Sequence, residues 1–224
     1  MQDVHLINSA VWTNHVYRSD HVRFLDCYIY APTENIWSEE PQRGAPSSDA
    51  IDIDACHDVL VSGCYMHVND DAVVLKGGKG TWADLTLGSE SLHDWNVVLR
   101  DCKILNAARV LWLKMRPDTP QHYEYVTVEN LTGQCGSFLV VCPWTQFFKP
   151  QQRDDMPLSQ CNNITMRGIS MTCKNFFDVG TSDKYQLQDF TFEDCDIKDE
   201  KQASDPLLIG GTKCKKVLIN GKKF

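Results

Sequence analysis

The feature that most constrains this chain is a repeat within residues 47–80. A polar–aspartate pair runs into a short apolar strand twice, first as Ser48-Asp49-Ala50-Ile51-Asp52-Ile53 and again as Asp70-Asp71-Ala72-Val73-Val74-Leu75. The two copies are offset by 71 − 49 = 22 residues. A different strand, Asp58-Val59-Leu60-Val61-Ser62-Gly63-Cys64, lies between them, so the repeating unit reads as two strands and two polar corners. A period near 20 made of strands alone is the mark of a solenoid whose coils stack in register. Residues one period apart then become neighbours about 4.8 Å apart along the stack. The spacing predicts Asp49 and Asp71 one above the other, with Asp70 beside them. Aspartates favour tight corners, which accounts for one per corner. Three side by side carry an electrostatic cost that a shared proton, ligand or metal relieves, and this points to a site.

The same strand phrase recurs along the chain. It stands at Val4-His5-Leu6-Ile7-Asn8, at Val22 to Cys27, at Val97 to Cys102 and at Val126 to Asn130, and it returns at Ile164 to Gly168, Phe190 to Cys195 and Val217 to Asn220. Its apolar and polar alternation marks strands with one buried face. Second strands fall between, around Asn14 to Tyr17, Ala50 to Ile53, Ala72 to Leu75, Leu85 to Leu87, Val110 to Leu113, Phe138 to Val141, Phe176 to Val179 and Leu207 to Ile209. A strand phrase that returns at a fixed coil position predicts an all-β solenoid, not a sandwich. We expect a single domain over residues 1–224, since 42% hydrophobic content in 224 residues is enough for a substantial core.

Cys27, Cys64, Cys102 and Cys195 occupy the same slot after the first strand. An inward-facing column of small thiols fits this placing, with packing as its first purpose. No CxxC or His spacing suggests a zinc site, so no metal and no cofactor is expected. Asn130-Leu131-Thr132 and Asn163-Ile164-Thr165 match the glycosylation sequon. The net charge of −8 argues against nucleic acid. No apolar run approaches the roughly 18 residues of a membrane span, and the start, MQDVHLINSA, has no basic and apolar leader pattern. One irregularity stands out. Leu75 to Leu87 is 87 − 75 = 12 residues, with a Gly-Lys loop where a first-type strand belongs. Either a half-coil is replaced there or one coil is absent.

These motifs resemble glycoside hydrolase family 28, the polygalacturonases and their exo-acting relatives. That family typically shows Asn-Thr-Asp, then Gly-Asp-Asp, then Gly-His-Gly, then Arg-Ile-Lys. Ser47-Ser48-Asp49 matches the first at its aspartate, Asn69-Asp70-Asp71 matches the second well, and Trp112-Leu113-Lys114 matches the fourth at its lysine. The third is missing, because Asp84 stands before Leu85 where Gly-His-Gly belongs. His93 follows the neighbouring strand instead of preceding it and reads as a loop histidine. The resemblance implies a right-handed parallel β-helix, of the pectin-lyase-like kind. It also implies hydrolysis of α-galacturonosidic linkages in pectin with inversion. Asp70 would be the general acid, and Asp49 with Asp71 would activate the water.

The resemblance further places Lys114 on the substrate's uronate carboxylate. Lys76 could join it or be a solvated strand-end lysine. Arg116 is either a replacement carboxylate clamp or surface decoration, and Trp112 either a sugar-stacking platform or a packing aromatic. The aromatics of Pro143 to Lys149 line a cleft or seal the stack. The expected partner is a galacturonate-containing polysaccharide or oligosaccharide, with no nucleic acid and no membrane. The parent enzyme is expected to be secreted or periplasmic. The chain, opening within a coil, reads as lacking N-terminal coils and cap. Two other readings stand beside hydrolysis. One is a β-helix that binds uronate without turnover, and the other a pectate lyase whose acid cluster holds Ca²⁺.

Overall fold

The computed structural model describes residues 1–31, 47–76, 85–88, 91–117, 120–145, 158–202 and 209–224. Strand is the only regular element among them, and no described helix is long and apolar enough to cross a membrane. The chain divides into two compact units, Met1–Glu90 and Ser91–Phe224.

In the first unit, nine strands form three parallel ladders. β3 (Asp20–Leu25) pairs with β6 (His57–Ser62), and β1 (His5–Ile7), β4 (Tyr28–Ala31) and β7 (Tyr65–Val68) form a second ladder. The third joins β2 (His15–Tyr17), β5 (Ile51–Asp54), β8 (Val73–Lys76) and β9 (Leu85–Leu87). A coil therefore has three strands, not the expected two. Val4 to Asn8 was expected with the first-type strands, yet β1 lies in the β4 and β7 ladder, with His5 opposite Tyr28. The 22-residue repeat is realised as register, since Ile51 faces Val73 and Asp52 faces Val74. Across the short step Val73 faces Leu85 directly; residues 77–84, between the two strands, lie outside the described residues.

In the second unit, long strands bend through the corners. β10 (His93–Arg100) and β11 (Lys103–Met115) both pair with the 22-residue β12 (His122–Pro143). Parallel pairing continues through β13 (Ser159–Val179), β14 (Tyr185–Asp199) and β15 (Lys213–Ile219), and β16 (Lys222–Lys223) closes antiparallel on β15. Buried residues stack into columns. Val126, Ile164 and Phe190 form one, and Leu131, Ile169, Cys195 and Val217 another. The strand expected at Leu207 to Ile209 falls mostly outside the described residues.

The corner after the first strand has a backbone reason to repeat. Asp26 and Gly63 share it in the first unit, and Asp101, Asn130, Gly168, Asp194 and Lys216 share it in the second. All take positive φ, between 50° and 67°. Gly, Asn and Asp tolerate this left-handed conformation best, and the sequence supplies them at all of these corners except Lys216. The cysteine slot follows immediately. The Cys27, Cys64, Cys102 and Cys195 thiols all donate to the carbonyl two residues back, at 3.4, 3.4, 3.1 and 3.4 Å. Cys27 and Cys195 are buried, Cys64 and Cys102 partly so, and the ten cysteines are free thiols.

A Cβ on Gly63 would meet Asp26 Oδ1 at 2.0 Å, in a conformation that already disfavours one. Gly63→Ala should lower stability by about 1–2 kcal/mol, whereas Lys216→Gly, which takes a side chain out of the same left-handed conformation at the equivalent exposed corner, should leave stability unchanged or raise it by up to about 1 kcal/mol. Urea denaturation midpoints at unchanged slope test the contrast.

Candidate active site

Two consecutive coils of the first unit bring Asp49, Asp70 and Asp71 together. Asp49 precedes β5 and Asp71 precedes β8, and the Ala50 amide donates to the Asp71 carbonyl at 2.9 Å. The Asp71 amide in turn is shared between Asp49 Oδ1 at 3.2 Å and Asp70 Oδ1 at 3.0 Å. One carboxylate oxygen from each of the three lies within 4.8 Å of the others. Ser48 braces the corner, with its hydroxyl donating to the Ala31 carbonyl at 3.3 Å and accepting the Asn69 amide at 3.1 Å. Asp49 and Asp71 are fully buried, and Asp70 is partly exposed, with its Oδ2 buried.

Beside the trio sits a buried ion cluster. Lys76 Nζ donates to Asp49 Oδ2 at 2.8 Å and also contacts Asp52, with all three side chains at most 1% exposed. The Trp12 ring centroid is 3.8 Å from the same ammonium, an added cation–π contact. This corrects the reading of Lys76 as a solvated lysine or a substrate contact. On β5 and β8, Asp54 faces Lys76, and Asp52 lies two residues back along the same strand face, within reach of a long side chain. Burial alone would lower the Lys76 pKa, but the hydrogen bonds to Asp49 and Asp52 more than offset it and raise it. One ammonium cannot neutralise two buried carboxylates. Burial first, and then the charge of Asp49, push Asp52 up to about 8. Asp52 and Trp12 were not singled out by motif reasoning. The signal available was an aspartate inside an apolar strand, sharing its face with a lysine one coil on.

The other substrate-binding candidates stand in the second unit. Lys114 is fully buried on β11, its ammonium 4.2 Å from the Trp112 ring centroid and 4.8 Å from that of Trp144. It does not lie open to a sugar carboxylate, because the two indoles enclose it. Trp112 is 5% exposed, meets Trp144 edge-on at 5.3 Å, and has Arg109 at 4.0 Å. Trp144 and Arg109 both pack against this largely buried ring. Arg116 is partly exposed. Its amide donates to Gln121 Oε1 at 2.5 Å, and its carbonyl accepts from Ser159 Oγ at 3.4 Å. Gln121, fully buried, also donates to the Ser91 carbonyl at 3.0 Å and to Tyr123 Oη at 2.7 Å. The chain leaving β11 is thereby fixed at Arg116. Residues 146–157, including two of the aromatics expected to line a cleft, lie outside the described residues, as does Asp84. His93 is not in a loop. It opens β10, opposite His122.

Comparison with known proteins was made against this geometry. The sequence pattern of the glycosyl hydrolases family 28 matches residues 1–206. No curated protein matches the chain. Among solved structures, a hyperthermoactive exopolygalacturonase from Thermotoga maritima superposes with a TM-score of 0.78 at 20% identity, covering 100% of this chain and 52% of that one. The chain thus spans about half the length of that protein. At this identity the likeness shows the fold, a right-handed parallel β-helix.

The ion cluster makes two expectations. Lys76→Met strands Asp49 without its ammonium and should cost about 3–5 kcal/mol in chemical denaturation. Asp52 keeps its proton to about pH 8 when folded, against 3.8 as the ordinary value, so folding takes up a proton between these limits. The stability it contributes is whole below about pH 4 and is lost as pH rises towards 8, with a limiting slope of about 1.4 kcal/mol per pH unit. Asp52→Asn should flatten the decline between pH 5 and 8, and an unchanged pH profile would contradict the assignment.

Proposed function

Because the chain belongs to the glycosyl hydrolases family 28, we propose that it hydrolyses α-galacturonosidic linkages of a galacturonan, with Asp70 as the general acid. The observation that carries this reading is the meeting of three carboxylates from adjacent coils within 4.8 Å, with Asp70 the partly exposed one. Glycoside cleavage needs one carboxyl that gives a proton to the leaving oxygen and a carboxylate that takes one from water. Asp70, the partly exposed member of the trio, is assigned the first role. Asp49 and Asp71 are assigned the second. Asp49 has one oxygen on the Asp71 amide and the other on Lys76, an arrangement that holds the carboxyl group in place.

Inversion of the anomeric centre is proposed with this assignment. Opposed carboxyls in inverting enzymes usually stand about 6.5–9.5 Å apart, wider than the closest oxygens here. The water is therefore proposed at the edge of the trio, not between two facing groups. Arg116, partly exposed in the second unit, is proposed as a contact for a uronate carboxylate. Lys114 is proposed to support the Arg116 segment from beneath through its indole contacts. A galacturonan substrate places the enzyme outside the cell or in the periplasm.

A second reading has its own support. Asp49 and Asp71 are fully buried, and Asp49 is closed off on one side by Lys76. This suits a β-helix that binds uronate without turnover.

Incubation with polygalacturonate in the presence of a chelator separates these readings. Hydrolysis releases reducing ends without ultraviolet-absorbing product, and NMR should find the inverted anomer first. Asp70→Asn should reduce the rate about 10²- to 10⁴-fold at unchanged Tm. Binding with no product would establish the second reading, and a chelator-sensitive, absorbing product would establish a lyase.

A further inference from the structure

A cluster outside the carboxylate trio has the chemistry of a metal site. β10 and β12 run in parallel register, with His93 opposite His122 and Trp95 opposite Glu124. Residues two apart on a strand share a face, so both imidazoles and the Glu124 carboxylate project to the same side. One ligand atom from each of the three lies within 4.8 Å of the others. His93 Nε2 is 2.9 Å from Glu124 Oε1, and the two imidazole centroids are 5.8 Å apart. On the next coil Gln160 faces His122, and its Oε1 lies 2.8 Å from His122 Nε2.

We propose that His93, His122 and Glu124 bind a divalent first-row transition-metal ion of the zinc and cobalt class. Two imidazoles and one carboxylate are the donor set such ions take, with a water completing the shell. Metal–nitrogen and metal–oxygen bonds of about 2.0–2.2 Å place ligand atoms somewhat closer together than 4.8 Å. Side-chain rotation closes that gap, and the backbone, fixed by the ladder, need not move. The ion takes the place of the direct contact between His93 and Glu124. Gln160, already against His122, stays beside the bound imidazole and orients it. The ligands come from two successive coils, which is why no local spacing in the sequence discloses them. An ion so held ties β10 to β12 and stabilises the folded chain, because the unfolded chain offers no such site.

The test is titration of the full chain with CoCl₂ near neutral pH, following the visible d–d absorption and Tm. Expected is one tightly held ion per chain that raises Tm by a few degrees and is displaced by ZnCl₂ but not by excess CaCl₂ or MgCl₂. His93→Ala and His122→Ala should each weaken binding at least about 10-fold. The double variant should lose the Tm shift while keeping the metal-free Tm, since both imidazoles are exposed. Asp70→Asn should bind as the parent does. Three results overturn the proposal: no uptake, uptake unchanged in the double variant, or a thiolate-to-cobalt charge-transfer band placing the ion on cysteine.

Discussion

In-register stacking of parallel coils is the constraint on which the structure depends. The ladder fixes the spacing between coils, so any residue type that recurs at one coil position becomes a column. Apolar columns such as Val126, Ile164 and Phe190 gain from this, as their side chains bury one another. Corner columns are tolerated where Gly, Asn or Asp accepts positive φ. Charged columns are the expensive case. Asp49 above Asp71, with Asp70 alongside, is a local concentration of negative charge that the backbone enforces and side chains must answer.

The answer lies further along the same two coils, on β5 and β8. Lys76 meets Asp49 and, with Asp52, makes a cluster that carries one proton more than its residues would hold in water. Near neutral pH the cluster is therefore close to charge balance while remaining buried. In the proposed mechanism this holds Asp49 in place and leaves Asp70 as the partly exposed member. Buried pairs of this kind are weak sources of net stability, and what they supply is position.

Much of the fold was legible because period and face are written into residue types. The recurring corner residue and the cysteine after it gave the coil position, and the Asp49 to Asp71 step gave one true register. Other registers were hidden because loops of different length sit at the corners. His93 pairs with His122, and His122 with Gln160, at steps no single period predicts. The third strand, Tyr65-Met66-His67-Val68, was missed because its polar and aromatic residues alternate across a short stretch that also reads as loop. Lys76 and Lys114 show the limit of reading charge from sequence. Lys76 was open to reading as a solvated strand-end lysine and Lys114 was read as a uronate contact, yet both are buried, one against two carboxylates and the other against two indoles.

The central claim is that Asp70, presented by stacked coils beside Asp49 and Asp71, is the group that meets the glycosidic oxygen. A crystal structure of the Asp70→Asn chain with a bound galacturonate oligosaccharide tests it most directly. The account predicts a glycosidic oxygen within about 2.6–3.2 Å of the substituted side chain's amide. An oligosaccharide bound with its linkages away from that position, or the trio still sealed beneath protein, would contradict it.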